Sequence, residues 1–101
     1  MILMRIYTKR EISDILAPVF AEYGIKRAVL FGSYSKETAD ENSDIDILVD
    51  SGLKGLGFVG FIEDVREALQ REVDVIDFLH LDSDSALYNE IERTGTEIYA
   101  R

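Results

Sequence analysis

Cysteine is missing from this chain and proline occurs once. Without thiols there is no disulfide frame and no thiolate metal site. No apolar run approaches the length of a membrane-spanning helix, and the N-terminus lacks the pattern of a signal peptide. A cytoplasmic protein with no membrane partner is therefore the expectation. Positive charge is also scarce: 11 Lys and Arg stand against 20 Asp and Glu, a formal net charge of -9. Gripping a phosphate backbone depends on Lys and Arg displacing counterions, so direct nucleic-acid binding is not expected. A partner with a basic surface suits this balance better. At 101 residues, the chain reads as one domain, 1–101, with a real core and no second lobe.

What is present centres on Leu30-Phe31-Gly32-Ser33 and Ser43-Asp44-Ile45-Asp46. An apolar run, Ala28 to Phe31, stops at the Gly-Ser pair, and a polar loop leads into a second strand-like run, Ile45 to Val49. Side chains alternate across a strand, so Asp44 and Asp46 share one face while Ile45 and Ile47 take the other. Two neighbouring carboxylates repel unless protons, hydrogen bonds or cations compensate. Magnesium takes oxygen ligands and leaves room for phosphate oxygens. Gly32 and Ser33 offer backbone N–H groups and a hydroxyl to an anion. Lys36 is the one cation between Ser33 and Thr38, either reaching a triphosphate or lying as an ordinary surface lysine. A phosphate cradle beside a metal-holding carboxylate pair is equipment for phosphoryl or nucleotidyl transfer.

The remaining segments read as alternating helices and strands. Thr8 to Glu11 fits a capping box, and Ile12, Ile15, Leu16, Val19, Phe20 and Tyr23 recur at helical spacing before Gly24. Pro18 falls inside this pattern, where it removes one backbone hydrogen bond and is expected to kink the helix. Gly52 to Phe61 mixes glycines with bulky apolar residues, a loop running into a helix whose apolar residues either tuck under the sheet or form a docking patch. Ile62, Val65 and Leu69, with Phe58 or Phe61, form that helix's inner face. Glu63, Asp64, Arg66, Glu67 and Arg71 are expected to solvate the other. Val73 to Phe78 reads as a third strand, with Asp74 and Ile76 on one face and Asp77, a structural residue, on the opposite one. His80 stands alone, a loop or core-edge residue. Asp82 or Ser83 is expected to cap a last helix, Asp84 to Arg93, and Thr96 to Tyr99 to return as an edge strand. Strands broken by helical patterns give an α/β (α+β) domain.

The pairing of Gly32-Ser33 with Asp44-x-Asp46 ten residues on resembles the signature of the DNA polymerase β-type nucleotidyltransferase superfamily. More closely, the chain resembles its minimal nucleotidyltransferases, small antitoxins often paired with a HEPN-domain RNase toxin. The resemblance runs nearly end to end, through Val73-Asp74-Val75. It implies a nucleotidyltransferase fold, a small mixed β-sheet with helices packed mainly on one side. It implies Asp74 as a third active-site carboxylate beside Asp44 and Asp46, together holding two Mg2+ ions, with ATP as donor at Gly32, Ser33 and Lys36. The implied activity is protein adenylyltransferase, AMPylation of a tyrosine on a cognate HEPN toxin. Two positions depart from the family pattern: Tyr34 stands where arginine is frequent, and Glu37 where glycine is common, adding negative charge near the phosphates. The alternative is a non-catalytic antitoxin that occludes its toxin. Small-molecule modification ranks below both, because antibiotic nucleotidyltransferases carry substrate-binding regions absent here.

Overall fold

The computed structural model describes residues 7–32, 34, 44–82 and 84–101. Helix α1, Lys9–Tyr23, begins at a capping box in which the Thr8 hydroxyl accepts from the Glu11 N–H and the Glu11 carboxylate accepts from the Thr8 N–H, both at 3.0 Å. Ile12, Leu16 and Phe20, spaced four apart, form its buried stripe. Pro18 sits on the exposed side and the helix continues past it to Gly24, which caps it at φ 67. Strand β1, Arg27–Phe31, and strand β2, Ile45–Asp50, pair antiparallel. Helix α2, Leu56–Leu69, then crosses over to strand β3, Val73–Asp77, which lies parallel to β2. A short 3-10 turn, Phe78–His80, precedes helix α3, Ala86–Thr94, and strand β4, Thr96–Ala100, which pairs antiparallel with β1. The sheet order is β3-β2-β1-β4.

Alternation along the strands divides the interior into two. Ala28, Leu30, Ile45, Ile47, Val49 and Val73 face α1 and α2, where Ile12, Leu16, Phe20, Phe61, Val65 and Leu69 meet them. Val29, Phe31 and Leu48 face the other way and are covered by Ile91 and Leu87 of α3. Two long helices thus line one face and a short one part of the other. No helix among the described residues is long and apolar enough to cross a membrane.

Several local expectations change. The third strand ends at Asp77, because the Asp77 carboxylate accepts from the Leu79 N–H and starts the 3-10 turn at Phe78. The last helix is capped by Ser85, whose hydroxyl accepts from the Tyr88 N–H, rather than by Asp82; Ser83 lies outside the described residues. Arg71, expected in solvent, is buried at 8 % exposure. In the glycine-rich stretch both readings hold for different residues. Leu53, Phe58 and Phe61 pack on the core, whereas Leu56 and Val59 are 89 % and 52 % exposed.

Candidate active site

The crossover through α2 makes β2 and β3 parallel, so residues in register on the same face stand side by side. Asp46 is the register partner of Asp74, and Phe31 at the end of β1 is the partner of Asp46 on the other side. The two carboxylates therefore meet at the edge of the α3-side face, next to the point where β1 gives way to Gly32. Asp44 precedes β2 and is exposed, which places it at the rim of the cluster rather than within the strand.

The electrostatics reflect this crowding. Burial, followed by the charges of Asp74 and Asp44 and a side-chain hydrogen bond with Asp74, pushes the Asp46 carboxyl up from 3.8 to about 6. Folding has put anions where they repel one another, which an added cation or a shared proton relieves.

Gly32 completes this corner. Its φ of 75 lies in the left-handed region, and a β-carbon at this position would stand 2.7 Å from the Asp46 Oδ2. Glycine is thus required twice, for its backbone angle and for the closeness of the carboxylate. Two residues on, Tyr34 is 3 % exposed and packs among the core residues of the α1/α2 face. The buried Arg71 guanidinium donates to the Tyr34 hydroxyl.

Of the residues singled out in the sequence, Gly32, Asp46 and Asp74 come together with Asp44 beside them. Ser33, Lys36 and Glu37 lie outside the described residues. Asp77 is kept away from the cluster: it is 2 % exposed, and its carboxylate accepts from the Ser51 hydroxyl and N–H. His80 is exposed on the 3-10 turn. Arg71 had no sequence signal beyond its place just ahead of the Val73-Asp74-Val75 strand.

Among the described residues no three His, Cys, Asp or Glu side chains form a ready-made metal cage. The donor chemistry nevertheless fits a hard divalent cation. Two neighbouring carboxylates with a third at the rim supply charged oxygen ligands, and such an ion completes its shell with waters and phosphate oxygens. The Asp46 carboxyl, raised first by burial and then by its acidic neighbours, is one a divalent cation would favour in its charged form.

Residues 11–101 match the polymerase β nucleotidyltransferase family. A protein of Methanocaldococcus jannaschii, provisionally named a protein adenylyltransferase, is 40% identical over 70 residues, covering 67% of this chain and 75% of its own. Among solved structures, a toxin–antitoxin complex with AMP-PNP superposes at a TM-score of 0.74 and 24% identity, over 88% of this chain and 73% of that one. A complex of a tri-AMPylated Shewanella oneidensis HEPN toxin with its MNT antitoxin gives 0.69 and 19%, over 93% and 74%. At those identities the structural likenesses establish the fold. Taken with the family match over most of its length, they place the chain: it belongs to the polymerase β nucleotidyltransferase family.

Proposed function

We propose that this protein is a single-domain, cytoplasmic, magnesium-dependent protein adenylyltransferase that transfers AMP from ATP to a hydroxyl of a partner protein. The observation that carries the reading is the in-register Asp46–Asp74 pair with Gly32 packed against Asp46. Gly32 and Ser33 receive the triphosphate through backbone N–H groups and the Ser33 hydroxyl, with Lys36 as an added cation. Asp44 and Asp46, with Asp74, would hold two magnesium ions, which when bound would supply countercharge for the α-phosphate and the leaving pyrophosphate. Asp74 would help deprotonate the acceptor hydroxyl. That oxygen forms the new bond to the α-phosphorus in line as the bond to the β-phosphate oxygen breaks, and pyrophosphate departs.

The acceptor we favour is a tyrosine of a cognate HEPN-domain toxin. Support comes from the fold shared with antitoxins seen in toxin complexes, one of them with a tri-AMPylated toxin. The test is pyrophosphate release from magnesium-ATP in the presence of that partner. The D44N/D46N double variant should lose release while staying folded, with a thermal midpoint no lower than that of wild type; a retained rate would sink this mechanism.

A second reading is occlusion of the toxin by binding alone. The exposed Leu56 and Val59 at the start of α2 favour it, as apolar side chains available to a partner. It requires inhibition at equal amounts of protein, without ATP, in a D44N variant.

A further inference from the structure

Of the two edges of the sheet, one is blunted and the other is not. An edge strand presents a row of N–H and C=O groups without strand partners, and bulges or covering side chains are the usual protection. β4 has both. Its pairing with β1 steps from the Ala28–Tyr99 pair to the Val29–Glu97 pair, which leaves Ile98 as the extra residue of a bulge. The Ser13 hydroxyl of α1 then donates to the Ile98 carbonyl at 2.7 Å. β3 instead keeps an unbroken register with β2 from Val73 to Asp77, and among the described residues no strand lies on its other side. The Arg66 Nε reaches the Val73 carbonyl at 3.4 Å, at the first residue of the strand, and Asp74 just beyond it is exposed.

The open edge is also the one that carries Asp74. Asp74 and Ile76 point to the face that holds Asp46, and Val75 points to the α2 side. A strand added beside β3 would stand about 4.8 Å away and continue both rows of side chains. One of its residues then falls beside Asp74, in line with Asp46, and the residue two along falls beside the half-buried Ile76. The residue next to the first points to the α2 side. There a cleft of about 590 Å3, lined by Glu63, Arg66, Glu67, Gln70, Arg71 and Glu72, adjoins the start of β3. Glu72 engages Arg66 at 3.6 Å, while Glu63 and Glu67 are exposed, so the cleft offers negative charge to an incoming cation.

We propose that the outer edge of β3 is the docking track for the acceptor. An extended segment of the partner protein pairs with β3 as an added strand, setting its hydroxyl-bearing residue beside Asp74 and a neighbouring lysine or arginine at Glu63 and Glu67. This rests on the reading of Asp46 and Asp74 as the catalytic pair. Main-chain hydrogen bonds supply the affinity, and the two rows of side chains supply the selectivity. The net charge of -9 suits a basic segment.

The probe is a short peptide of alternating valine and lysine in which one valine is replaced by tyrosine, so that tyrosine and valine share a face. With the full chain and magnesium-ATP, its gain of AMP is followed by mass, and the KM for peptide is measured. Methylating one alternate set of its backbone nitrogens should raise KM about tenfold or more, because the edge hydrogen bonds are lost. Methylating the other set should change it little. Strand pairing produces that period of two, and side-chain contact alone does not. E63K/E67K should raise KM about fivefold at low salt with kcat unchanged, and the gap should narrow as salt rises. Equal effects of the two methylated sets, or no transfer to the unmethylated peptide, overturns the docking track. The catalytic reading is checked separately by magnesium-dependent binding of ATP, which D44N/D46N should lose. If that binding is lost and the methylation pattern fails, the docking track alone falls. If D44N/D46N binds ATP as wild type does, the catalytic reading falls and the docking track with it.

Discussion

At the scale of single residues, three aspartates of similar appearance are given different work by their surroundings. Asp46 and Asp74 sit opposite each other across a parallel pair, while Asp77, three residues after Asp74, faces the other side of the sheet and bonds Ser51 and the Leu79 N–H. D77A should lower stability by about 2–4 kcal/mol in chemical denaturation, since it strands buried donors; D74N should leave stability nearly unchanged and remove transfer. The raised Asp46 carboxyl has its own signature. Protonation is easier in the folded state than in the unfolded chain, so it stabilises fully below pH 3.8 and that contribution is lost as pH rises through about 6. Without magnesium, the thermal midpoint of D46N should therefore exceed that of wild type at pH 8 and converge with it towards pH 4. A wild-type advantage at pH 8 would refute the raised carboxyl. G32A places its methyl carbon on the Asp46 carboxylate and strains φ, and should cut transfer by about a hundredfold or more. The aspartate pattern and the glycine were legible in the sequence. The shift on Asp46 was not, because it arises first from burial and then from the register that brings Asp74 alongside, neither of which spacing specifies.

At the scale of elements, the helices and strands were readable wherever a local rule sufficed. The Thr8 to Glu11 capping box, the four-residue spacing of Ile12, Leu16 and Phe20, and the stop at Gly24 each act within one or two turns. The end of α2 was not readable. Periodicity extends the polar stripe from Glu63 and Glu67 to Arg71, but the helix stops at Leu69 and a non-glycine residue adopts the left-handed cap. Q70G should raise stability by up to about 1 kcal/mol, as glycine takes this conformation without strain, and Q70V should lower it by about as much or more. The pair can be compared by urea denaturation; equal stabilities would mean Gln70 is not held in that conformation. α3 shows the same limit on a smaller scale. Asp82 and Ser85 are both competent caps by composition; Ser85 takes the role, accepting from the Tyr88 N–H, while Asp82 accepts from the Asp84 N–H.

At the scale of the whole molecule, the order β3-β2-β1-β4 gathers the start of β2, the start of β3 and the end of β1 at one corner. Alternating patterns indicate strands but not their neighbours, so this convergence was visible only through the family resemblance. The net charge of -9 suits a basic partner surface. The most direct test of the account mixes the protein with the proposed HEPN-domain partner, magnesium and ATP, and takes the intact mass of both chains. A gain of one or more AMP units on the partner, absent with D44N/D46N, is the expected result. A stable complex of unmodified chains, with the partner's RNase silenced in the absence of ATP, would contradict it.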